Sequence, residues 1–343
     1  MAANVKTILV TGASGQLGRR LVPRLMESGY TVRAHYRSTE RAEGYCPPGA
    51  TPVIGDLLNP SWLMEATRDC QVVIHGAAKV SLRPGQLVLQ RKINLEGTRD
   101  VIAACRKSGV KRLIYISSIV TVGASTNGNP VDETADFNLG GFNVPYIDTK
   151  KEAEDLALQA NGFELEVIVV NPSVMISMPD RAITVSDLKK IPRFLPAYFD
   201  FAINLVETEA VVGAIIAAIT RGRPGERYLL TGENVDSGKA FEIAEKYFGI
   251  KKPMLKIPLW FLIPVGATLE LVEFFRGKRP RFHRGLAKLA HFKFVYNNEK
   301  ARQELGFAPR PLESLIRDIV TKIREQTPND GRFHGTTEKR SGD

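Results

Sequence analysis

The sequence has few cysteines, and its uncharged run at 257–269 is short. Its 343 residues include three cysteines, an odd number without metal-ligand spacing, at Cys46, Cys70 and Cys105. This argues against a disulfide framework, predicts no metal site, and indicates reduced thiols in a cytoplasmic protein. The uncharged run 257–269 is too short to cross a bilayer, which needs about 20 residues. No signal peptide is predicted, because the first strand pattern begins at about Thr7.

Strand and helix patterns alternate along the first two thirds of the chain. The strand runs are apolar throughout, as strands covered on both faces must be. The alternation predicts an α/β fold, a doubly wound parallel sheet with right-handed crossovers, whose ligands bind at the carboxyl ends of the strands. The predicted strands are 7–12, 31–36, 51–56, 71–76, 112–117, 166–171 and 227–232.

The strand–helix rhythm changes after Val174, where a loop-rich and aromatic stretch follows. We therefore predict a Rossmann domain that binds a dinucleotide and a smaller, mostly helical substrate lobe over the strand ends. The predicted boundaries are 1–175 with 206–232 for the Rossmann domain, 176–205 with 233–325 for the lobe, and 326–343 for a disordered polar tail.

A glycine-rich turn, TGASGQLG, follows the first strand. Gly12 allows the tight turn, Gly15 lets backbone approach a pyrophosphate, and Gly18 lets the following helix pack closely on the strand. The free amides and the dipole of a helix N-terminus favour an anion. The spacing predicts a dinucleotide-binding turn, although a plain strand-to-helix turn can carry the same glycines.

The end of the second strand predicts which dinucleotide is bound. An acid there binds the ribose 2′-hydroxyl of NAD, whereas an arginine accommodates the 2′-phosphate of NADP. The chain has Arg37 and Ser38 at this point and no acid, so NADP(H) is favoured over NAD(H).

Asp56, which ends the third strand, is placed either to accept a hydrogen bond from adenine or to cap the next helix. The small residues Ala77 and Ala78, after the fourth strand, let a cofactor lie against backbone.

Tyr146 and Lys150 are four residues apart and are predicted on one face of a helix. Reduction of a carbonyl needs a proton donor beside a hydride donor, and a free tyrosine has a pKa of about 10. A close ammonium favours the phenolate and lowers that pKa. Ser117 and Ser118 end the fifth strand, where one hydroxyl would orient a substrate carbonyl and the other would cap the strand end.

The motifs occur in an order and spacing that resemble the extended short-chain dehydrogenase/reductase family, within the NAD-dependent epimerase/dehydratase superfamily. The pattern is similar to that of dihydroflavonol 4-reductase-like and 3β-hydroxysteroid dehydrogenase-like members. The motifs are TGASGQLG, GDL at 55–57, HGAA at 75–78, NLEGT at 94–98, YISS at 115–118 and YIDTK at 146–150.

The resemblance implies a role for each matching residue. Tyr146 would be the general acid/base, and Lys150 would lower its pKa and hold the nicotinamide ribose. Ser118, rather than Ser117, would be the catalytic hydroxyl, and Asn94 would act structurally or through backbone. The implied cofactor-binding residues are Gly12, Ser14, Gly15, Gln16, Leu17, Gly18, Arg37, Ser38, Asp56, Leu57, Ala77, Ala78, Lys79, Asn94, Tyr146, Lys150, Pro172 and Ser173.

Together these features predict an NADP(H)-dependent reductase of a ketone or aldehyde on a small apolar substrate, either steroid-, flavonoid- or lipid-like. Aromatic residues at 194–201, with Trp260 and Phe261, are expected to line its pocket or to pack in the lobe core. One alternative is a nucleotide-sugar epimerase or dehydratase, in which Arg279 or Arg281 would bind a diphosphate. The other is a non-catalytic NADP-binding interaction protein.

The positive charge is concentrated in residues 251–293. This segment holds ten lysines or arginines and two glutamates, which is +8 of the formal +10 of the chain. No recognition motif accompanies the basic residues, so nucleic acid is not predicted as a partner. The uncharged run 257–269 is either a buried lobe helix or an interfacial element whose flanking cations meet anionic membrane headgroups. The sequence leaves this choice open, and also the choice between a monomer and a homodimer.

Overall fold

A computed structural model of the chain describes residues 6–178, 197–276 and 282–326. The strands, in chain order, are β1 (Thr7–Thr11), β2 (Thr31–Tyr36), β3 (Thr51–Ile54), β4 (Val72–His75), β5 (Arg112–Ile116), β6 (Glu166–Pro172), β7 (Val174–Ile176), β8 (Ala197–Tyr198), β9 (Ala202–Glu207), β10 (Arg227–Leu230), β11 (Glu233–Asp236) and β12 (Leu255–Lys256).

Seven of these strands form one parallel sheet in the order β3, β2, β1, β4, β5, β6, β10. The predicted doubly wound α/β fold is confirmed. The chain runs outward from β1 through β2 and β3, then returns to place β4 on the other side of β1. A ligand crevice is expected at the carboxyl ends of the strands where the order reverses, beside β1.

Helices cover both faces of the sheet. They are α1 (Gly18–Glu27), α2 (Thr39–Tyr45), α3 (Pro60–Thr67), α4 (Leu87–Gln90), α5 (Gly97–Lys107), α6 (Pro145–Gln159), α7 (Thr208–Arg221), α8 (Ser237–Phe248), α9 (Leu262–Phe275), α10 (Arg284–Leu289), α11 (Glu299–Leu305) and α12 (Leu312–Gln326). The helical stretch between β4 and β5 is interrupted, because a π-helical turn, Arg91–Glu96, lies between α4 and α5.

Alternate side chains of the central strand enter two different apolar layers. Ile8 and Val10 of β1 pack with α1, α7 and α11, whereas Leu9 packs with α3, α5 and α6. All three side chains are buried, as the period of two in a strand covered on both faces requires. Helix α11 therefore belongs to the Rossmann core, although the predicted boundaries place it in the lobe.

The lobe has a small sheet of its own, in which β9 lies between β7 and β11. Residues 237–326 are mostly helical, as predicted, and β12 pairs with β8. Most of the predicted disordered tail, together with Phe194 of the aromatic cluster and Arg279 and Arg281 of the alternative reading, lies outside the described residues.

Within the described ranges, no helix is both long and apolar enough to span a membrane. The three cysteines are free thiols, with Cys70 and Cys105 buried.

Candidate active site

The glycine-rich turn joins β1 to α1 in the conformation that its sequence predicts. Gly12 has a positive φ of 79°, and a side chain there would come within 2.9 Å of the backbone of Gly76 and Ala77. A side chain at Gly18 would meet the backbone of Ala13 at 2.7 Å, so the start of α1 lies directly on the turn. The N-cap residue of α1, Leu17, has no side-chain acceptor for the helix amides. These amides suit an anionic ligand.

Two adjoining cavities lie along this turn. The outer cavity, about 610 Å³, includes Arg37 and Asp56, and the inner cavity, about 310 Å³, includes Ser118 and Tyr146. The two share Gly12, and their combined length follows the carboxyl ends of the strands beside β1. Predicted cofactor-binding residues that line one or both cavities are Gly12, Ser14, Gly15, Gln16, Leu17, Gly18, Arg37, Asp56, Leu57, Ala77, Ala78, Lys79, Tyr146, Lys150, Pro172 and Ser173.

Two predicted cofactor-binding residues do not line these cavities. Ser38 is the N-cap residue of α2, and its proximity lowers the pKa of Glu40 in the first turn of that helix. Asn94 is buried in the π-helical turn, where its Oδ1 accepts a 2.7 Å hydrogen bond from the amide of Lys79 and its Nδ2 donates to the Lys79 carbonyl. Asn94 thus holds the backbone of a lining residue and does not reach the cavity itself.

The outer cavity carries two arginines, Arg37 and Arg41, on its open side. Among the described residues, Arg37 has no hydrogen bond or ion pair, so its guanidinium is free to meet an anion. Asp56 accepts a 3.0 Å hydrogen bond from the amide of Leu58. The alternative role of Asp56 as a helix cap is wrong, because Asn59 caps α3 by accepting from two amides of its first turn.

A buried chain of hydrogen bonds supports the floor of both cavities. The Ala77 amide donates to the Thr11 hydroxyl, which lies 2.7 Å from Nδ1 of His75; Nε2 of His75 lies 3.1 Å from the Thr98 hydroxyl. Thr98 in turn donates to the carbonyl of Asn94. Burial lowers the pKa of His75 to about 3, so its ring is neutral and can accept on one nitrogen while donating on the other.

Tyr146 and Ser118 meet in the inner cavity. Tyr146 lies on the first turn of α6, Ser118 follows β5, and both line the inner cavity. Burial raises the pKa of Tyr146, and the nearby Ser118 hydroxyl lowers it by a smaller amount. Ser117, by contrast, is buried and faces Thr121 at the strand end. The structure therefore brings Ser118, and not Ser117, to the tyrosine.

Lys150 bonds partners other than Tyr146 in this structure. Its Nζ donates 2.8 Å hydrogen bonds to the Tyr115 hydroxyl and to the Ile116 carbonyl. Burial lowers the pKa of Lys150 to about 7, against an opposing effect of Glu154. The predicted helix face is present, and Lys150 lines the inner cavity together with Tyr146.

Sequence reasoning missed a buried network centred on Glu154. Its side chain is fully buried and accepts hydrogen bonds from the hydroxyl of Thr121 and, at 2.7 Å, from Nδ2 of Asn171. Both donors also bond the carbonyl of Ser118, and Arg227 lies 3.3 Å from the carboxylate. Glu154 follows Lys150 by one helical turn on the buried face of α6. An acid four residues after the lysine is the sequence pattern that could have indicated this network.

The described aromatic residues of the lobe do not line either cavity. Tyr198 packs against Phe241 at 5.4 Å between ring centroids, and Phe201 lines a separate cavity of about 280 Å³ inside the lobe. Trp260 and Phe261 contact each other and are exposed. These residues therefore do not line the pocket as expected. They pack in the lobe or are exposed on its surface.

The buried lysine predicts how stability depends on pH. The pKa of Lys150 is about 7 in the folded chain and 10.5 for a lysine exposed to water, so between these pH values the unfolded chain binds more protons. The free energy of unfolding should therefore rise with pH above 7, by up to about 1.4 kcal/mol per pH unit. We expect urea unfolding between pH 7 and 9 to show a smaller rise for Lys150→Met.

Lys151→Met is the matched control, because Lys151 pairs with Asp155 at the partly exposed side of the same helix. Thiol titration is common to all variants and cancels in the comparison. Equal slopes in the unsubstituted chain and in Lys150→Met would show that Lys150 is charged at pH 7 to 9 in the folded protein.

Comparisons with known proteins agree with the fold. The profile of the NAD dependent epimerase/dehydratase family matches residues 8–197. The 4-hydroxy-2-methyl-3-oxo-4-farnesyl-3,4-dihydroquinoline-1-oxide ketoreductase of Stigmatella aurantiaca is 33% identical over 315 residues, which cover 88% of this chain and 91% of that protein. Sterol demethylase protein B of Methylococcus capsulatus is 30% identical over 333 residues, 93% of this chain and 99% of that protein.

Relatives whose names refer to dihydroflavonol 4-reductase and to 3-beta-hydroxysteroid dehydrogenase also match. Among solved structures, the crystal structure of gox2253 superposes with a TM-score of 0.77 at 29% identity, covering 96% of this chain and 99% of that one.

Proposed function

The chain belongs to the NAD dependent epimerase/dehydratase family and is an NAD(P)-dependent oxidoreductase, and on that premise we propose that it reduces a ketone or aldehyde of an apolar substrate with NADPH. The observation that carries the proposal is that Tyr146, Ser118 and the buried Lys150 all line the inner cavity, with the Ser118 hydroxyl near enough to Tyr146 to lower its pKa. A proton donor and a second hydroxyl at one point suit a carbonyl oxygen.

The cleft fits a nicotinamide dinucleotide. The outer cavity has a free arginine at one end, and the glycine turn leaves no room for side chains against its backbone. At the other end, Ser173 lines the inner cavity, and its buried hydroxyl has no partner within the described residues. An unsatisfied buried hydroxyl favours a polar ligand group beside it. Arg37, the glycine turn and Ser173 would hold the cofactor, which supplies the hydride when bound.

The residues of the chain supply the proton and the orientation. The raised pKa of Tyr146 keeps its proton on the hydroxyl at neutral pH. When negative charge develops on the substrate oxygen, that oxygen becomes more basic than the phenolate, and Tyr146 donates the proton. Ser118 donates a hydrogen bond to the same oxygen, and its position is held by the network around Glu154. The buried Lys150 lines the same cavity and bonds Tyr115.

Apolar residues at the mouth of the inner cavity support an apolar substrate. Val80 and Met175 both line this cavity, and Val80 is exposed to the solvent. The names of two relatives, a ketoreductase of a farnesylated quinoline oxide and a sterol demethylase protein, refer to apolar compounds. They favour a steroid- or lipid-like ketone for this chain.

A substrate screen tests the proposal. NADPH oxidation is followed by absorbance with steroid, flavonoid, long-chain and sugar-nucleotide carbonyls. We expect turnover with an apolar ketone or aldehyde. Conversion of sugar nucleotides without net NADPH oxidation, detected by chromatography of the products, would favour an epimerase or dehydratase, because both reactions return the hydride to the substrate. Cofactor binding without conversion of any class of compound would favour a non-catalytic NADP-binding protein.

Arg37 is predicted to set the cofactor preference. Its guanidinium lines the outer cavity, and Asp56, the acid nearest to it in this cavity, is engaged with the Leu58 amide. A hydrogen bond to a charged group contributes about 1.5–3 kcal/mol, so NADPH should bind about ten- to hundredfold more tightly than NADH. We expect Arg37→Asp to reverse this preference in fluorescence titrations with both cofactors.

Lys111→Asp changes the net charge by the same amount. Lys111 directly precedes β5, at the amino ends of the strands and away from the cavities, so this variant should leave the preference for NADPH over NADH unchanged. Equal affinities for NADPH and NADH in the unsubstituted protein would contradict the assignment of Arg37.

A further inference from the structure

One side of helix α9 is apolar and exposed. Pro264, Thr268, Leu271, Val272 and Phe275 recur at spacings of three or four and are all exposed, with Phe275 exposed by 78% and Leu271 by 58%. Thr268, the polar member, donates its hydroxyl to the Pro264 carbonyl at 2.9 Å. This surface, the α9 face, therefore presents no unsatisfied polar group.

The two acids of α9 are neutralised beside the α9 face. Glu270 accepts hydrogen bonds from the amide and the guanidinium of Arg284, at 2.8 and 2.7 Å. Glu273 lies 3.8 Å from Arg276. Both carboxylates are less exposed than the apolar side chains of the face. An anionic surface that approached the α9 face would therefore meet no free carboxylate of this helix.

Basic residues surround the α9 face. Arg276 follows its last turn, and α10, which packs on α9 at Gly266, exposes Arg284 and Lys288. Before α9, Lys251 and Lys252 are exposed and precede Trp260, an aromatic side chain exposed by 65%. An apolar helix face with an adjacent tryptophan and flanking cations is typical of elements that lie in the interface of anionic membranes.

A second exposed apolar segment adjoins this region. Val80, Leu82, Leu87 and Val88 are exposed on the segment that leads into α4. The buried His283, which caps α10 by accepting from the Gly285 amide, lies 3.2 Å from the Leu82 carbonyl through its other nitrogen. Since Val80 also lines the inner cavity, this exposed apolar segment joins the contact with His283 to the inner cavity.

We propose that the α9 face and residues 80–88 form a membrane-docking surface that binds bilayers containing anionic lipids, beside the mouth of the active site. The helix lies in the interface and does not cross the bilayer, because it has fourteen residues. Docking is independent of the reductase activity, so either can fail without the other.

Charge favours a membrane over a second copy of this chain as the occupant. A symmetric dimer brings the same patch of both subunits together. Here each copy would contribute the segment 251–293, with its net charge of +8, and like charges facing each other destabilise an interface. Anionic headgroups instead complement these cations while the acyl region covers the apolar side chains.

The test is co-flotation of the full chain with phosphatidylcholine vesicles, with and without phosphatidylserine. We expect binding to the phosphatidylserine vesicles, weakened by high salt, and little binding to pure phosphatidylcholine. Leu271→Ser with Phe275→Ser should lower the partition coefficient by at least about tenfold, because two exposed apolar side chains no longer enter the interface. In a Trp62→Phe background, the emission of Trp260 should shift to the blue on binding.

Matched controls separate docking from misfolding and from overall charge. Phe163→Ser removes another fully exposed aromatic side chain, after α6, and should bind as the unsubstituted chain does. Lys251→Glu with Lys288→Glu should weaken binding to the phosphatidylserine vesicles. Lys107→Glu with Lys111→Glu, between the end of α5 and the start of β5, makes the same change in net charge and should leave binding unchanged. Thermal unfolding of each variant checks that it is folded.

Three outcomes would overturn the proposal. The first is absence of binding to phosphatidylserine vesicles at low salt. The second is an equal loss of binding in Phe163→Ser. The third is a stable dimer in light scattering that becomes a monomer in Leu271→Ser with Phe275→Ser, which would assign the α9 face to self-association.

Discussion

Replacement of Tyr146 by phenylalanine is expected to lower the turnover of carbonyl reduction by at least about 100-fold, the lower range for a positioned general acid. The substitution removes one hydroxyl, and phenylalanine retains the packing of the ring at the start of α6. Because Ser118 would stay anchored by its backbone, the shape of the inner cavity should persist. The affinity for NADPH should remain unchanged, so the loss should appear in kcat.

The measurement compares kcat and the NADPH dissociation constant with the best substrate of the carbonyl screen. Tyr30→Phe, at the opposite edge of the sheet before β2, is the control for removal of a tyrosine hydroxyl. Lys150→Met should lower turnover and also weaken cofactor binding. Normal turnover in Tyr146→Phe would show that another group donates the proton.

Replacement of Glu154 by leucine should destabilise the fold by about 3–5 kcal/mol, the cost of removing one partner from a buried ion pair. Glu154 is 0% exposed. Its loss removes the carboxylate that accepts from the Asn171 amide and the Thr121 hydroxyl, and leaves Arg227 without its buried counter-charge. Since Asn171 and Thr121 also hold the carbonyl of Ser118, turnover should fall as well, with cofactor affinity less affected.

Urea unfolding at constant pH measures the change in the free energy of unfolding. Glu152→Leu is the matched control, because Glu152 lies on the same helix and pairs with Arg91 at the surface, with both side chains about half exposed. A surface pair contributes about 0–1 kcal/mol. Similar losses in the two variants would show that the buried network does not stabilise the protein.

Much of the fold and part of the site follow from local sequence patterns. Apolar strands alternating with helices determined the parallel sheet, and the glycine spacing of TGASGQLG determined a turn with a positive φ at Gly12. The spacing of Tyr146 and Lys150 placed them on one face of α6. Each of these features depends on residues within one or two turns or strands, where the backbone geometry sets the side-chain period.

The partners of those side chains were decided only by the tertiary structure. Lys150 bonds Tyr115 and Ile116, about 35 positions earlier, and not the tyrosine on its own helix. Glu154 gathers Thr121 and Asn171 from two different strand ends.

The α9 run illustrates the same limit. Its composition is compatible with a buried helix, and only the packing of α10 on Gly266 shows which side stays exposed. Local periodicity determines which residues share a face. What that face meets depends on the order of strands in the sheet and on the crossovers between them, because these bring together segments that are far apart in the chain.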